Sequence, residues 1–351
     1  MKILFGVQAT GNGHISRSRE VIARLRSRGH DIQVLFSGRD PSGLKETEVF
    51  EPFEVRRGLT FKTSRGRLQA LKTAFSLNLP LFYRDILDYD ASGVDVVITD
   101  YEPISARIAR RLRIPSIGIG HQYAFCFDIP LTGANPLTHW LLRAFAPADH
   151  PIGLHWHTFG QPILPPIIPE HLDGNRPVAA DKVLVYLPFE HPSEVQALLA
   201  PLTTHQFYIY GIADLPAPID KGHLHLRPYS RRGFLRDLED CNGVISNAGF
   251  ELMGEALQIG KKLLVKPLKG QMEQLSNALA LEKLRLATAM SSLDRKTVRR
   301  WLELPPNEPA GYPDVAQLIA VWIEKGRWED IDGLSREAWA RTKRVPLWDG
   351  R

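Results

Sequence analysis

The chain has 351 residues, 44% of them hydrophobic and 24% charged, which is typical of a globular protein with room for two α/β domains. The formal net charge of +5 indicates an anionic partner, but the basic residues form no known nucleic-acid module, so no nucleic-acid binding is expected. The only cysteines, Cys126 and Cys241, exclude a disulfide framework and a cysteine zinc site. Because no stretch is long enough to span a membrane and the apolar N-terminus is too short for a signal peptide, we expect a cytoplasmic protein.

The first half of the chain alternates strand and helix patterns, which predicts a parallel sheet with right-handed crossovers. Strands are predicted at residues 3–7, 32–36, 94–99 and 116–120, and helices near residues 15–27 and 104–112. Trp140 and Trp156 are predicted to lie in the core. Five prolines between residues 161 and 177 then indicate a linker.

A second strand and helix series follows the linker. Its strands are predicted at residues 183–187, 207–210, 224–226, 243–246 and 263–265. The chain is therefore expected to form two Rossmann-like parallel-sheet domains that face each other across a cleft, which is a common place for a ligand. The expected division is an N-terminal domain (1–160), the linker (161–177), a C-terminal domain (178–325) and a tail (326–351) that packs back on the first domain.

A glycine loop and a histidine directly follow the first strand. Ligands of open α/β sheets bind at this end of the strands, where loops and helix N-termini converge. Gly11 and Gly13 permit a sharp turn and give clearance to an incoming substrate, and His14 begins the next helix. His121 ends the fourth strand and faces the same crevice. Two roles stay open for His121: contact with a substrate, or hydrogen-bonded packing.

A second cluster lies in the C-terminal half. A strand and the turn Ser-Asn-Ala-Gly lead to a helix whose N-terminus, at Gly249 and Phe250, offers free N–H groups and a positive dipole end to a diphosphate. Farther along that helix, Glu255 has the chemistry to accept hydrogen bonds from both ribose hydroxyls. The pair Glu273 and Gln274, which begins the next helix, suits the hydroxyls of a sugar.

These residues carry a family resemblance. The turn at 246–249, Glu255 and the Glu273–Gln274 pair resemble the donor-binding signature of GT-B fold UDP-sugar-dependent glycosyltransferases, and the loop at 11–14 resembles their acceptor-side loop. The chain is similar to the lipid-linked N-acetylglucosaminyltransferase of peptidoglycan synthesis and to the UDP-glycosyl/glucuronosyltransferases. The resemblance runs from about residue 3 to 285. It implies a GT-B fold in which residues 1–160 form the acceptor-side domain and residues 178–325 form the nucleotide-sugar-binding domain. It also implies a UDP-sugar donor substrate, and neither a cofactor nor a required metal.

The resemblance also implies roles for individual residues. His14 matches a general base, for which the ordinary imidazole pKa near 6.5 is apt, and Asp100 matches the aspartate that orients it. The implied donor-binding residues are Ser246, Asn247, Gly249, Phe250, Glu255, Glu273, Gln274, Tyr229 and Ser230. The acceptor-side residues are Gly11, Gly13, Arg17 and His121.

Two positions decide between variants of this chemistry. Retaining relatives carry another glutamate eight positions before Glu255, but Asn247 stands there, so inversion is expected. Residues 187–191 read Leu-Pro-Phe-Glu-His where the peptidoglycan enzyme has a glycine-rich loop. His191 therefore either compensates as a phosphate contact or is a plain loop residue.

Two other functions remain open. UDP-sugar hydrolases of the same superfamily share a Gly-x-Gly-His-x-x-Arg loop, which His14 and Arg17 fit equally well, and they use water as the acceptor. A non-catalytic nucleotide-sugar-binding protein is the other alternative, although the presence of Asp100 with His14 argues against it.

The acceptor is suggested by residues 56–84, which contain seven basic residues, no acidic ones and interleaved apolar side chains. This pattern suits a helix lying on an anionic membrane, and it equally suits an ordinary amphipathic helix with a solvated basic face. Because the peptidoglycan relative uses such a patch, the resemblance implies a lipid-linked acceptor or a cell-envelope glycan precursor. The protein would then lie on the inner face of the plasma membrane.

Overall fold

The computed structural model covers the whole chain and describes most of it. The described residues are 1–59, 63–64, 67–68, 78–172, 174–212, 215–348 and 350. Fourteen of the 29 residues of the basic segment expected to contact a membrane, residues 56–84, therefore lie outside the described residues.

The first domain contains a fully parallel sheet, which within the described residues has six strands in the order β3-β2-β1-β4-β5-β6. This order is that of a Rossmann fold. The strands are β1 (Lys2–Gln8), β2 (Asp31–Ser37), β3 (Phe53–Arg56), β4 (Val96–Asp100), β5 (Ser116–Gly120) and β6 (His150–Gly153). The helices are α1 (Asn12–Ser27), α2 (Leu79–Leu87), α3 (Pro103–Leu112), α4 (His121–Ala124) and α5 (Pro136–Phe145). Short 3-10 turns lie at Pro41–Gly43 and Glu48–Phe50, and a two-stranded antiparallel ladder joins Thr63–Ser64 to Arg67–Leu68.

The second domain repeats this architecture. In the part of the chain that the structure describes, seven strands form a sheet in the order β9-β10-β8-β7-β11-β12-β13, parallel except for β9. The strands are β7 (Lys182–Tyr186), β8 (Gln206–Tyr210), β9 (Ile219–Lys221), β10 (Leu224–Leu226), β11 (Gly243–Ser246), β12 (Lys262–Val265) and β13 (Ala287–Ala289). The helices are α6 (Pro192–Leu199), α7 (Arg231–Asp240), α8 (Phe250–Gln258), α9 (Met272–Lys283), α10 (Arg295–Leu302), α11 (Val315–Lys325) and α12 (Ile331–Ala340). The predicted α/β fold with two Rossmann-like domains is confirmed.

Strand register places the two predicted site clusters at equivalent edges. In the first sheet Val7 of β1 pairs with Asp100 of β4, so both strands end beside the glycine loop. In the second sheet Ser246 of β11 pairs with Tyr186 of β7, so the turn before α8 lies at the carboxyl end of that sheet. The loops at these edges meet in the cleft between the domains.

The linker and the tail fasten the two domains together. Ile163, in the linker, is fully buried, and its carbonyl oxygen accepts hydrogen bonds from Trp339 Nε1 at 2.6 Å and Ser335 Oγ at 2.8 Å. Helix α11 lies beside α1, where Glu324 pairs with Arg28 and lies 3.1 Å from His30 Nε2. Helix α11 is therefore packed against the first domain, and the tail (326–351) is packed against the linker.

One predicted core residue is not in the core. Trp156 is fully buried, but 63% of Trp140 is exposed. Trp140 lies on α5, whose apolar side chains mostly face outward, so its size and apolarity alone gave the wrong prediction.

None of the helices in the described part of the chain combines the length and the apolar composition that a membrane span requires.

Candidate functional site

A histidine–aspartate pair occupies the carboxyl end of the first sheet. Nδ1 of His14, near the start of α1, lies 2.9 Å from Oδ1 of Asp100, the last residue of β4. Asp100 is 1% exposed, and its Oδ2 accepts a hydrogen bond from Ser18 Oγ at 2.6 Å. When Nδ1 carries the imidazole proton and donates it to Asp100, Nε2 keeps a lone pair and is able to accept a proton.

Arg17 joins this pair from the next turn of α1. Its Nε donates to Asp100 Oδ1 at 3.0 Å, Nη2 donates to the same oxygen, and Nη2 also lies 2.7 Å from His14 Nδ1. Burial alone would raise the pKa of the Asp100 carboxyl, but the Arg17 guanidinium and His14 hold that pKa below its usual range. Asp100 is therefore ionised, as an aspartate that orients a base must be.

A glycine makes room for this arrangement. A Cβ on Gly120, at the end of β5, would lie 3.2 Å from Arg17 Nη2 and 3.5 Å from Asp100 Oδ1. A larger side chain there would displace the guanidinium from the aspartate. The requirement for glycine at this position comes from close approach, because the Gly120 backbone is extended.

Arg17 also reaches across the cleft to a residue that the sequence motifs did not reveal. Its Nη1 donates to Oε1 of Glu251, the second residue of α8 in the other domain. Burial raises the pKa of Glu251 to about 8, and the Arg17 charge opposes that rise only in part. The sequence feature that could have pointed to Glu251 is its spacing from Glu255. Glu251 lies four residues earlier and therefore on the same helix face.

A cavity of about 600 Å³ opens between the domains beside these groups. Four of the predicted site residues line it: Gly13, Tyr229, Ser230 and Glu255. Its lining also includes Glu251 and four cationic side chains, namely Arg19, Arg39, Lys45 and Arg231. Three of those cations belong to the first domain, so both domains contribute to the cavity.

Glu255 and Tyr229 both line the cavity, and each contacts a residue of the first domain. Ser16 Oγ, from the first domain, donates to Glu255 Oε1 at 3.3 Å. Burial raises the pKa of Glu255 to about 7, although Arg231 and Ser16 favour its charged form. The ring of Tyr229 is half exposed and lies 4.8 Å from Lys45 Nζ. Next to it, Ser230 Oγ caps α7 by accepting from Gly233 N at 3.0 Å.

The turn before α8 is held by buried contacts. Ser246 is buried at the end of β11, and Asn247 Nδ2 donates to the Lys266 carbonyl at 2.8 Å. Nothing lies within 4 Å of a Cβ placed on Gly249, so the helix N-terminus has open space in front of it. The ring of Phe250 stacks on His121 of the other domain with centroids 4.0 Å apart.

His121 joins the two domains through its ring nitrogens. Nδ1 lies 2.8 Å from the Leu154 carbonyl oxygen and Nε2 lies 2.6 Å from Asn277 Oδ1. The ring is fully buried, and burial lowers its pKa. Of the two roles left open for His121, hydrogen-bonded packing describes its contacts in this structure. Both ring nitrogens have protein partners, so neither is free to contact an acceptor substrate.

The remaining predicted residues lie near the cleft without lining the cavity. Glu273 Oε2 accepts from Gln122 Nε2 at 3.2 Å across the domain interface. Gln274 Oε1 accepts from Leu268 N at 2.9 Å and so holds the loop before its own helix. Gly11 directly precedes α1, and a Cβ on it would come no nearer to another side chain than 3.9 Å. His191 caps α6 and is not among the residues that line the cavity.

Within the described residues, no three or more His, Cys, Asp or Glu side chains are grouped so that they could hold a metal ion. The chain contains two Asp-x-Asp sequences, at 88–90 and 330–332. Asp90 accepts from Ser92 N, and Asp330 caps α12, and neither residue lines the cavity. Both sequences therefore serve local turns and helix ends.

Two Rossmann-like domains facing a ligand-sized cleft define the GT-B class of fold. The chain matches the model of glycosyl transferase family 1 over residues 1–306. It belongs to that family.

Solved structures support the same fold. The glycotransferase of kitacinnamycin superposes with a TM-score of 0.61 at 15% identity, over 96% of this chain and 97% of that one. UGT89C1 of Arabidopsis thaliana, solved with UDP-L-rhamnose, gives 0.60 at 14% identity over 96% and 99%. SsfS6 of Streptomyces sp. SF2575, solved with thymidine diphosphate, gives 0.58 at 15% identity over 99% and 96%. Comparison with curated protein sequences finds no significant match.

Proposed function

We propose that this protein is an inverting glycosyltransferase that moves a sugar from a UDP-sugar to a hydroxyl or phosphate of an acceptor. The observation that carries the proposal is the 600 Å³ cavity between the domains, lined by Glu255 and four cations. It lies beside the His14–Asp100 pair, to which the lining residue Glu251 is joined through Arg17. A nucleotide sugar needs such a combination of anion-binding and hydroxyl-accepting groups next to a proton acceptor.

In this proposal the donor lies along the cavity with its nucleoside at Tyr229, Ser230 and Glu255. Glu255 accepts from the ribose hydroxyls, and Tyr229 with Ser230 borders the uracil. The diphosphate lies at the N-terminus of α8, where open space faces Gly249. Two structural neighbours support a nucleoside diphosphate, since UGT89C1 was solved with UDP-L-rhamnose and SsfS6 with thymidine diphosphate.

The proposed reaction is one in-line displacement at the anomeric carbon. His14 Nε2 takes the proton of the attacking hydroxyl while Asp100 stabilises the imidazolium that forms. An acceptor phosphate would arrive already ionised, and His14 would then only position it. UDP leaves toward α8, whose dipole offsets the growing negative charge together with Arg39 and Arg231. We propose that these fixed groups do this work without a metal ion.

Donor binding is tested by calorimetric titration of UDP, dTDP, GDP and ADP into the wild-type protein and the Glu255→Gln variant. We expect UDP to bind, and the variant to bind it about tenfold or more weakly, because a hydrogen bond to a charged acceptor contributes about 1.5–3 kcal/mol. Glu282→Gln, on the exposed face of α9, is the matched control. The absence of binding by any uridine nucleotide would contradict the donor assignment.

Product analysis separates transfer from hydrolysis. A transferase releases UDP faster when an acceptor is present, and NMR of the product shows the opposite anomeric configuration from the donor. Free sugar released from the donor alone, at a rate that acceptor does not raise, would select the hydrolase.

We further propose that the acceptor is lipid-linked and that the protein attaches peripherally to the inner face of the plasma membrane. Besides the basic sequence at 56–84, two helices of the first domain carry exposed apolar side chains. These are Leu79, Tyr83 and Leu87 on α2, and Leu137, Trp140 and Leu141 on α5. Arg107 of α3 lies between the two helices, since its guanidinium covers Phe82 of α2 and donates to the Phe145 carbonyl at the end of α5.

Co-sedimentation with vesicles tests the membrane proposal. We expect binding to vesicles rich in anionic lipid, weakening as salt is raised, and weaker binding by Trp140→Ser. Leu347→Ser changes an exposed apolar side chain of the tail instead and serves as the control. Equal recovery in the supernatant with and without anionic vesicles would contradict the proposal.

A further inference from the structure

Arg39, which follows β2 in the first domain, has no carboxylate partner among the described residues. Its side chain is partly buried and lines the cavity between the domains. Nη1 donates to Asn12 Oδ1 at 2.9 Å and to the Gly43 carbonyl oxygen at 3.4 Å, and both acceptors are neutral. Burial lowers the pKa of Arg39, and the groups that oppose this are the hydroxyls of Tyr229 and Tyr186. Because a partly buried charge without a counterion is destabilising, an anion in the cavity would be favoured beside Arg39.

The other two arginines of the cavity lining differ from Arg39 in this respect. Arg231 Nη2 lies 3.6 Å from Glu20 Oε1. Arg19 lies close enough to three carboxylates for their charges to act on it, those of Glu46, Glu20 and Glu48. Their positive charge is therefore partly balanced by the protein itself, whereas that of Arg39 is left for a ligand.

Arg39 lies close to the turn that precedes α8. Its partner Asn12 begins α1, and a Cβ on the next residue of that helix would lie 2.7 Å from Glu251 Cγ in the first turn of α8. Tyr186, whose hydroxyl is a neighbour of Arg39, ends β7, and its carbonyl oxygen accepts from Asn247 N at 3.3 Å. Both neighbours of the guanidinium thus border the helix N-terminus that faces open space.

The chemistry of the donor leaves one group for Arg39. The base, the ribose and the hydroxyls of a neutral sugar carry no charge, so none of them balances a guanidinium. The diphosphate is anionic, and a guanidinium is able to bind phosphate oxygens with two parallel hydrogen bonds. In the proposed pose the diphosphate joins a nucleoside at Tyr229 to the N-terminus of α8, and Arg39 is close to both.

The second-domain loop at this edge, residues 187–191, offers few N–H groups to a phosphate. Pro188, which lines the cavity, and Pro192, which begins α6, have no N–H at all. The N–H of Glu190 donates to the Leu187 carbonyl oxygen at 3.1 Å. The loop therefore leaves a binding role to be filled from the other side of the cleft.

We propose that Arg39 binds the diphosphate of the donor from the first domain, with Asn12 as its positioning residue. This inference rests on the proposed function, because it takes the place of the diphosphate from the proposed donor pose. It goes further in assigning a phosphate contact of the bound donor to the domain opposite the one that carries Glu255 and α8. The donor is then held by both domains before any bond is broken.

The test titrates uridine, UMP and UDP into the wild-type protein and the Arg39→Gln variant, with binding followed by NMR of the ligand. We expect the variant to bind UDP about tenfold or more weakly and uridine within about twofold of wild type, because a hydrogen bond to a charged group contributes about 1.5–3 kcal/mol. Arg39→Lys keeps the charge without the planar fork, so its UDP affinity should lie between the two. Arg232→Gln removes an exposed arginine that does not line the cavity, and it should bind UDP as wild type does.

Three results would overturn the inference while the proposed function stands, since the wild-type protein would still bind UDP. One is an unchanged UDP affinity in Arg39→Gln. Another is an equal loss for uridine and UDP, which would show that the substitution deforms the cavity. The third is an equal loss in Arg232→Gln, which would show that net charge alone is responsible. Failure of the wild-type protein to bind any uridine nucleotide would instead remove the proposed function and this inference with it.

Discussion

At His14 two groups compete for one imidazole nitrogen. Nδ1 lies 2.9 Å from Asp100 Oδ1 and 2.7 Å from Arg17 Nη2, so it donates to the aspartate or accepts from the arginine, depending on the tautomer. Only the first arrangement leaves Nε2 as the proton acceptor. Arg17 also donates through Nη1 to Glu251 of the other domain, so the cation beside the imidazole contacts both domains.

Glu255 should make the stability of the protein depend on pH. Burial raises its pKa from an ordinary 4.5 to about 7, so the folded state holds this proton more tightly than the unfolded state. The resulting stabilisation is fully present below pH 4.5 and is lost as pH rises to about 7, by about 1.4 kcal/mol for each unit of pKa difference. Thermal unfolding of Glu255→Gln should therefore lose less stability than wild type between pH 5 and 8.

The Glu282→Gln variant should follow wild type across the same pH range, since this side chain is exposed. Parallel stability curves for wild type and Glu255→Gln would contradict the buried, proton-holding environment of Glu255.

At the scale of elements, the first turn of α1 lies directly against α8. A Cβ on Gly13 would lie 2.7 Å from Glu251 Cγ, whereas a Cβ on Gly11 meets nothing closer than 3.9 Å. Because the Glu251 carboxylate is held by Arg17, it cannot move aside without breaking that ion pair. The first glycine therefore serves the turn, and the second serves the contact between domains.

Gly13→Ala should weaken UDP binding by several-fold, because overpacking of this kind costs about 1–3 kcal/mol and shifts the wall of the cavity. Gly11→Ala is the matched control and should bind UDP as wild type does. Calorimetric titration of both variants checks this expectation. Equal affinities in the two variants would show that Gly13 is not a contact point between the helices.

The elements around the cleft were predictable because their signals are local. Residues 3–7 form an apolar run followed by Gly11 and Gly13, and residues 243–246 form another followed by the turn to α8. The role of Glu251 was not predictable in the same way. Its partner Arg17 is 234 positions away in the sequence and in the other domain, so only the packing of the two domains reveals the pair.

At the scale of the whole molecule, the tail (326–351) holds the domains in their relative position. Trp339 of α12 donates to the Ile163 carbonyl in the linker, and Trp348 packs edge-on against Phe159 with ring centroids 5.0 Å apart. Composition could not tell these tryptophans from Trp140, which points outward from α5. Burial of a large side chain depends on what the fold places over it.

Trp339→Ala should lower the free energy of unfolding by about 3 kcal/mol, because it removes a buried ring and leaves the Ile163 carbonyl with one hydrogen bond fewer. Trp140→Ala should change it by less than about 0.5 kcal/mol, since that ring is exposed. Chemical denaturation of the two variants gives the comparison. Similar losses in both would contradict the anchoring role of the tail.

The central claim is that His14 activates the acceptor that attacks the donor in the cavity, without itself binding the nucleotide. The measurement is UDP release from the preferred UDP-sugar by His14→Ala in the presence of acceptor, alongside calorimetric titration with UDP, with exposed His171→Ala as the control. We predict that turnover falls by about 10²–10⁴-fold while UDP affinity stays within about twofold of wild type. Turnover close to that of wild type in His14→Ala would contradict the account.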